Sequence, residues 1–444
     1  MTSPTSPPLP HHDIAILGGG LGGLLAANLI LEDLSPAQRR TTTLTLFEAN
    51  TRFGGRARSP SLGEPWSATV NLGPHALYKN GPLHHALDRL GIMPPGASPA
   101  AHPMWLDASS ATGQADLISL PASLGQILGH DRMTFRQKTR LMLAMRAILA
   151  ADTRSTHGMA SQWIASLSSG DPFLSALLGA LIRLSTYCAD LEHLPAVTAV
   201  TQLQRSLTDG VLYIDGGWQT IIDALLERLR AFPNVRVEAG CKVTHLDRAE
   251  RDGAMRLVFA DRERPAYTAS HVVAALPPRT VSKITDQKVL QNHHIEPVHA
   301  ACIDLLLRKN PARRRVAIYG MYEPCYYANH SATARFMDGD EVEVVHAAKY
   351  LRRGEEAGGI AQLESWLDAV DPCWRADTVA SRRLPKIPVI QHLPSSKSSS
   401  SLVHDLDNLY VVGDWCEPPP HHLADAVARS AARASEHICA RVRP

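Results

Sequence analysis

The sequence has little of several things, and each shortage excludes a class of protein. Its 7 cysteines are scattered, with no CxxC pair, so neither a zinc site nor a disulfide framework is expected. Reduced thiols in a cytoplasmic compartment are the simplest expectation. The net charge is only +2 over 444 residues, and no block of like charges occurs, so no field favours nucleic acid. No apolar run approaches the roughly 18 residues that cross a bilayer. The opening residues are rich in Pro, Ser and Thr and lack the basic and apolar regions of a signal peptide. They read as a disordered lead over residues 1–9. No internal repeat is visible. Histidine is plentiful, at 21 residues, but no doublet has the acid-supported spacing of a metal site, and no metal is expected. What remains is an ordinary globular composition in a chain long enough for two or three domains.

The informative residues begin at Asp13. An isoleucine-rich run ends in Gly18, Gly19, Gly20, Leu21, Gly22 and Gly23, and Leu24 to Ile30 then reads as a helix. Gly18, Gly20 and Gly23 fit the G-x-G-x-x-G template. The first permits a sharp turn, the second lets backbone approach a pyrophosphate, and the third lets helix pack on strand. The phosphate would sit at the helix N-terminus. A glycine cluster alone fits a plain turn equally well. The order strand, glycines, helix, second strand (Leu44 to Phe47) and terminal acid (Glu48) decides for a dinucleotide. An acid at the ribose favours FAD or NAD over NADP. Arg52, Gly54, Gly55 and Arg56 follow directly, either as a phosphate-facing loop or as a basic surface turn. Their place just after the acid favours the former. No second glycine loop occurs, so no dedicated NAD(P)H site is expected.

Taken together, Gly18-x-Gly20-x-x-Gly23-Leu24-x-x-Ala27, Glu48 and Arg52-x-Gly54-Gly55-Arg56 resemble the signature of the FAD-dependent amine oxidase and phytoene desaturase superfamily. Further segments match in order: Val70 to Tyr78, Tyr213 to Trp218, Lys242 to Thr244, Val272 to Pro278, and Leu409 to Asp414. The resemblance implies FAD as cofactor. It implies binding by Gly18, Gly20, Leu21, Gly22, Gly23, Glu48, Ala49, Arg52, Gly54, Gly55, Arg56, Gly73, Pro74, His75, Val243, Ala275, Gly413, Asp414 and Leu423. It implies an α/β fold: a Rossmann-like FAD-binding domain of the GR2 type with an inserted α+β substrate domain of mixed sheet and helices. The first would comprise residues 10–75, 211–285 and 400–444, and the second 76–210 and 286–399. Composition agrees: residues 120–185 read as helical, 298–350 carry strand-like pieces, and Ser395 to Ser401 is a low-complexity loop.

The resemblance also suggests where chemistry sits. The Ala-rich last helix, from about Leu423, points its start at the flavin, where the dipole favours negative charge. His422 falls at the place of an aromatic cage residue, and there it either meets substrate or caps the helix. His75 either acts on substrate or fixes its own loop. Trp415, Tyr187, Tyr326 and Tyr327 either line a pocket or belong to the core. Amine oxidases of this superfamily carry a lysine near flavin N5, yet the comparable strand, His299 to Leu305, has none. That absence moves the expectation toward the desaturase branch. The basic amphipathic segment Thr134 to Leu149 either packs inward or makes peripheral membrane contact.

The expected function is an FAD-dependent oxidoreductase passing a hydride from a C–H bond of a small, apolar organic substrate to flavin N5. The alternatives are a redox-neutral isomerase or mutase, or a non-catalytic flavin-binding protein. Neither the electron acceptor nor the oligomeric state is legible.

Overall fold

The computed structural model describes residues 12–442 except 74, 100–102, 109–114, 122, 250–252, 287–294, 314, 356–357 and 394–407. The N-terminal lead, Pro74 and the serine-rich stretch therefore lie outside the described residues.

The glycine motif stands at the centre of a five-stranded parallel sheet. Its strands are β1 (His12–Leu17), β2 (Thr42–Phe47), β3 (Val235–Glu238), β4 (His271–Ala274) and β5 (Leu409–Val411), in the order β3-β2-β1-β4-β5. Parallel strands covered on both faces must be apolar on both, and β1 is. Ile14 and Ile16 face one cluster, with α1 (Leu21–Asp33), α2 (Pro82–Arg89), α3 (Gln219–Arg230) and α4 (Leu423–Arg441). Ala15 and Leu17 face the other, against an antiparallel meander that includes Leu246 and Leu257. Alternation with a period of two thus splits one strand between two cores.

Gly23 sets how closely α1 lies on β1. A Cβ there would stand 1.9 Å from the carbonyl oxygen of Gly18, where no atom fits. Asn28, buried in the same helix, donates from Nδ2 to the carbonyls of Leu24 (2.9 Å) and Leu225 (3.1 Å), tying α1 to α3. The segment from Leu77 to Leu90 joins this cluster too. The expected substrate portion began at residue 76, but Leu83 and Leu87 of α2 pack here, and the Leu83 amide donates to Asp425 of α4 at 3.1 Å.

The second body is a seven-stranded mixed sheet. Its long strands are β6 (Val298–Arg308), β7 (Cys325–Asn329), β8 (Val342–Tyr350) and β9 (Thr378–Ile390), with β9-β6-β8-β7 at one side. One face carries Ile303, Leu305, Val345 and Ala347 under α5 (Gly359–Val370). The other carries Ala300, Cys302, Ala348 and Tyr350 toward a helical layer with Leu141, Leu174 and Leu177. That layer contains the Phe135–Ala150 helix, which is started by a capping box between Thr134 and Gln137. Its Leu141, Ala144 and Ile148 are buried, while Phe135 and Leu143 are 82% and 61% exposed beside the exposed Arg136 and Arg146. Among the described residues no helix is long and apolar enough to cross a membrane.

Because the clash at position 23 is with backbone, it cannot be relieved by a rotamer change. Gly23→Ala is expected to lower stability by at least about 3 kcal/mol, read as a loss of soluble yield and a lowered melting temperature.

Candidate functional site

A cavity of about 560 Å³ opens at the carboxyl ends of β1, β2, β4 and β5. In an open parallel sheet this is where ligands bind, at the point where strand order reverses. The reversal here lies between β1 and β4. One end of the cavity meets Glu48, Lys242 and Val243, its middle meets Gly18, Gly20 and Gly54 to Arg56, and its far end meets His75, Tyr187, Trp218 and Leu423.

The sharp turn after β1 needs glycine first. Gly18 has φ +103°, and a Cβ would meet the Ala275 carbonyl oxygen at 2.5 Å. Gly20 is different. It precedes α1 with extended backbone, and a Cβ would find its nearest protein atoms only at 3.8 and 3.9 Å. The space beside Gly20 therefore belongs to the cavity. The amide ends of α1 open there with no capping side chain and no acid in the first turn, so the anion-attracting end of the dipole is uncompensated.

Glu48 tips β2. Its Oε2 accepts the Gly19 amide at 2.7 Å, and its Oε1 accepts the Asn50 amide and side chain, both at 2.8 Å. The acid thus clamps the glycine turn to the neighbouring strand while still lining the cavity. Opposite it, Arg56 binds Asp414 at 2.6 Å and donates to the Val389 carbonyl at 3.1 Å. Asp414 also accepts the Gln391 amide at 2.9 Å. Three chain segments far apart in sequence meet in this bond.

The N-terminus of α4 enters the far end through Leu423, Ala424 and Val427. Its first-turn acid, Asp425, is turned away, held by Arg205 at 2.6 Å and by the Leu83 amide. It does not cancel the dipole at the cavity. Trp415 donates to the Leu276 carbonyl at 3.1 Å and forms wall. Trp218 also lines the cavity, and its indole N–H is buried without a partner among the described residues.

The histidines here are neutral. His75 is lowered to about 4, chiefly by burial, against the opposing bond to Gly73. A carbonyl only accepts, so His75 donates from Nδ1 to Gly73 (2.9 Å) and keeps a lone pair on Nε2. His330 is lowered to about 3, again chiefly by burial.

Of the residues expected at a cofactor, Gly18, Gly20, Leu21, Gly22, Glu48, Ala49, Gly54, Gly55, Arg56, His75, Val243, Ala275, Gly413, Asp414 and Leu423 border the cavity. Four do not. Gly23 acts one layer back, in packing. Arg52 faces a separate surface pocket with Arg58 and Arg230. Gly73 has φ +96° and abuts Ile387. His422, expected as a candidate catalytic group, stands at the N-cap position of α4 without a capping bond and donates from Nε2 to the Thr186 carbonyl at 2.9 Å. Its ring is spent on structure. Tyr187 and Trp415 line the cavity, whereas Tyr327 points to the α5 face and binds Asp371 at 3.2 Å.

Sequence reasoning gave no role to Asp304, His330, His346 and Arg382, which form one buried polar group on the substrate-side sheet. They come from separate strands and loops, so only strand register brings them together. Trp218 was read as part of a turn and not as wall.

The shape and chemistry fit an extended dinucleotide. There is an acid at one end, a glycine floor with open amides in the middle, and an uncapped helix start with an unpartnered indole N–H at the other. The model of the flavin-containing amine oxidoreductase family matches residues 21–303. No curated protein matches the sequence. Solved structures do share the fold. An oxidoreductase from Methanosarcina mazei is 16% identical, with TM-score 0.73 over 96% of this chain and 100% of that one. The cyclohexylamine oxidase of Brevibacterium oxydans is 13% identical, with TM-score 0.64 over 97% and 99%. A fatty acid isomerase from P. acnes that produces CLA is 13% identical, with TM-score 0.64 over 96% and 98%. FAD is the cofactor.

Two outcomes follow. Gly20→Val should fold, since no protein atom obstructs the side chain, but should purify with less than about a tenth of the wild-type flavin absorbance. The second concerns pH. His330 is neutral in the fold, whereas the unfolded chain takes up a proton below about 6.5. Stability is therefore full above that value and falls as pH drops from about 6.5 toward 3, by up to about 1.4 kcal/mol per unit. Denaturant titrations at pH 7, 6 and 5 should show this slope, and His330→Asn should reduce it, the share of His75, itself lowered to about 4, remaining.

Proposed function

The chain belongs to the flavin-containing amine oxidoreductases, and from that premise we propose that it oxidises a small organic substrate by removing a hydride from a C–H bond. The observation that carries this reading is the cavity at the carboxyl ends of the parallel strands. It takes in Glu48, the glycine floor and the aromatic and apolar side chains of Tyr187, Trp218 and Leu423.

FAD, when bound, supplies a two-electron acceptor that takes hydride at isoalloxazine N5. The chain's own part is binding, orientation and electrostatics. Glu48 and the glycine turn hold the nucleotide end. The start of α4 places the positive end of a 19-residue helix at the far end, where added negative charge is stabilised. Tyr187 and Trp218 keep water from that end, which strengthens every charge interaction inside. Neutral His75, with its free Nε2, can take a proton there.

The substrate-side sheet offers no lysine on β6, from Val298 to Arg308. The buried Lys349 of β8 lies on the α5 side with Val345 and Ala347 and binds Glu355. Among the described residues the lysine that borders the cavity is Lys242, beside Cys241 and Val243, so neither β6 nor β8 brings a lysine there to favour rapid reaction with dioxygen. Dehydrogenation with another acceptor is the reading we prefer, with desaturation of an apolar substrate as one form of it.

The test is anaerobic. The flavin-loaded protein, mixed with candidate substrates and no acceptor, should lose its oxidised flavin absorbance in proportion to product formed. Product formed under a constant spectrum would instead assign a redox-neutral isomerase. No product and no spectral change across amines, alcohols and allylic hydrocarbons would leave a non-catalytic flavin protein.

A further inference from the structure

Large apolar side chains are few on the outside of this molecule, and they are gathered. Among the described residues eight stand exposed, and five of the eight are Leu124, Leu128, Phe135, Leu143 and Leu149. Each of the five is more than half exposed. Scattered singly, such side chains need no explanation, but a concentration of them marks a surface that meets another apolar phase.

The charge of the same stretch is one-sided. From Leu124 to Leu149 it holds the five cations Arg132, Arg136, Lys138, Arg140 and Arg146 and one acid, Asp131, in a chain whose net charge is only +2. Arg132 is paired with Asp116, and Lys138 donates to the Leu128 carbonyl at 2.7 Å. The side chains of Arg136, Arg140 and Arg146 make no ion pair or hydrogen bond among the described residues. From Phe135 to Ala150 there is no acid at all. A helix face that meets only water commonly mixes both signs.

Helical period sorts these residues. Leu141, Ala144 and Ile148 turn inward, so the opposite stripe carries Phe135, Thr139, Leu143, Arg146 and Ala150, with Arg136 and Leu149 at its sides. The short helix Leu124–Gly129 lies beside it. Its Ile127 is buried in the same cluster as Leu141, while Leu124 and Leu128, four apart, stay outside. The bond from Lys138 to the Leu128 carbonyl ties the two helices together. Inward packing therefore accounts for one side of this helix pair and leaves an apolar and basic outer side.

We propose that these two helices dock the protein on an anionic lipid bilayer. The exposed leucines and Phe135 enter the boundary between headgroups and acyl chains, and the unpaired arginines meet lipid phosphates. Two features favour a bilayer over a protein. A second copy of this chain would set Arg136, Arg140 and Arg146 against like charges. A different protein would need a matching hole for each protruding side chain, whereas a bilayer accepts any spacing. Neither the cofactor nor the reaction bears on this surface.

Co-sedimentation of the flavin-loaded protein with vesicles tests it. Vesicles of phosphatidylcholine with about a third phosphatidylglycerol should take up at least about tenfold more protein than phosphatidylcholine alone, and salt at about 0.5 M should remove most of that gain. Phe135→Ser combined with Leu143→Ser should lower uptake by the anionic vesicles at least about fivefold, with flavin content and melting temperature unchanged. Arg136→Gln, Arg140→Gln and Arg146→Gln together should bring uptake down to the neutral-vesicle level. A wild type that ignores anionic vesicles or binds both kinds equally overturns the proposal. So does a serine variant that binds as the wild type does, since charge alone would then explain the uptake. A concentration-dependent dimer that the serine variant abolishes, without vesicle binding, would assign the face to a second copy. Should either variant fail to fold, the other and the wild-type dependence on lipid charge and salt decide.

Discussion

No side chain can stand at position 23, and the site depends on that. With hydrogen there, the first helix lies directly on the turn that follows the first strand. The amide ends of that helix then come level with the strand's end, and the floor beside Gly20 opens. Glu48 completes the device by accepting the Gly19 amide at 2.7 Å. One acid thereby ties the second strand to the glycine turn and presents its charge at the cavity. A conformational constraint and a binding group are the same few atoms.

Much of this was readable beforehand because it is local. The turn chemistry of Gly18, the acid at the end of a short apolar strand and the Ala-rich last helix are each written within about ten residues. The parallel sheet, the flavin and the family followed from their order. Arg52 and Arg56 show the limit of such reading. They stand four apart in one loop and looked interchangeable, yet only Arg56 reaches Asp414, while Arg52 turns to another surface. Nothing in the spacing decides which way a loop side chain leaves. His422 shows another limit. Its place before the last helix suggested chemistry, but the ring is held by the Thr186 carbonyl at 2.9 Å and ties two helices together.

The substrate-side polar group was not readable at all. Asp304 and His346 are brought together by antiparallel register between strands separated by more than thirty residues, and Arg382 by a third strand. Asp304 looks like an ordinary polar interruption in an apolar strand. Its meaning comes from pairing: desolvation opposes its charge, while the bond to His346 and the guanidinium of Arg382 hold it ionised, below the usual carboxylate range. Around it, burial keeps His75 and His330 uncharged. The protein thus keeps a compensated charge pair inside the substrate-side sheet.

The bond between Arg56 and Asp414 joins residues 358 positions apart. The strand and helix that flank Asp414 lie far downstream of the glycine motif, yet they supply one wall of the cavity and the helix end at its far side. A ribosome-bound chain that already holds the complete glycine motif still has no pocket. Cofactor capture therefore waits for the downstream strand and helix, and until they emerge the early strands and their apolar faces lack a partner.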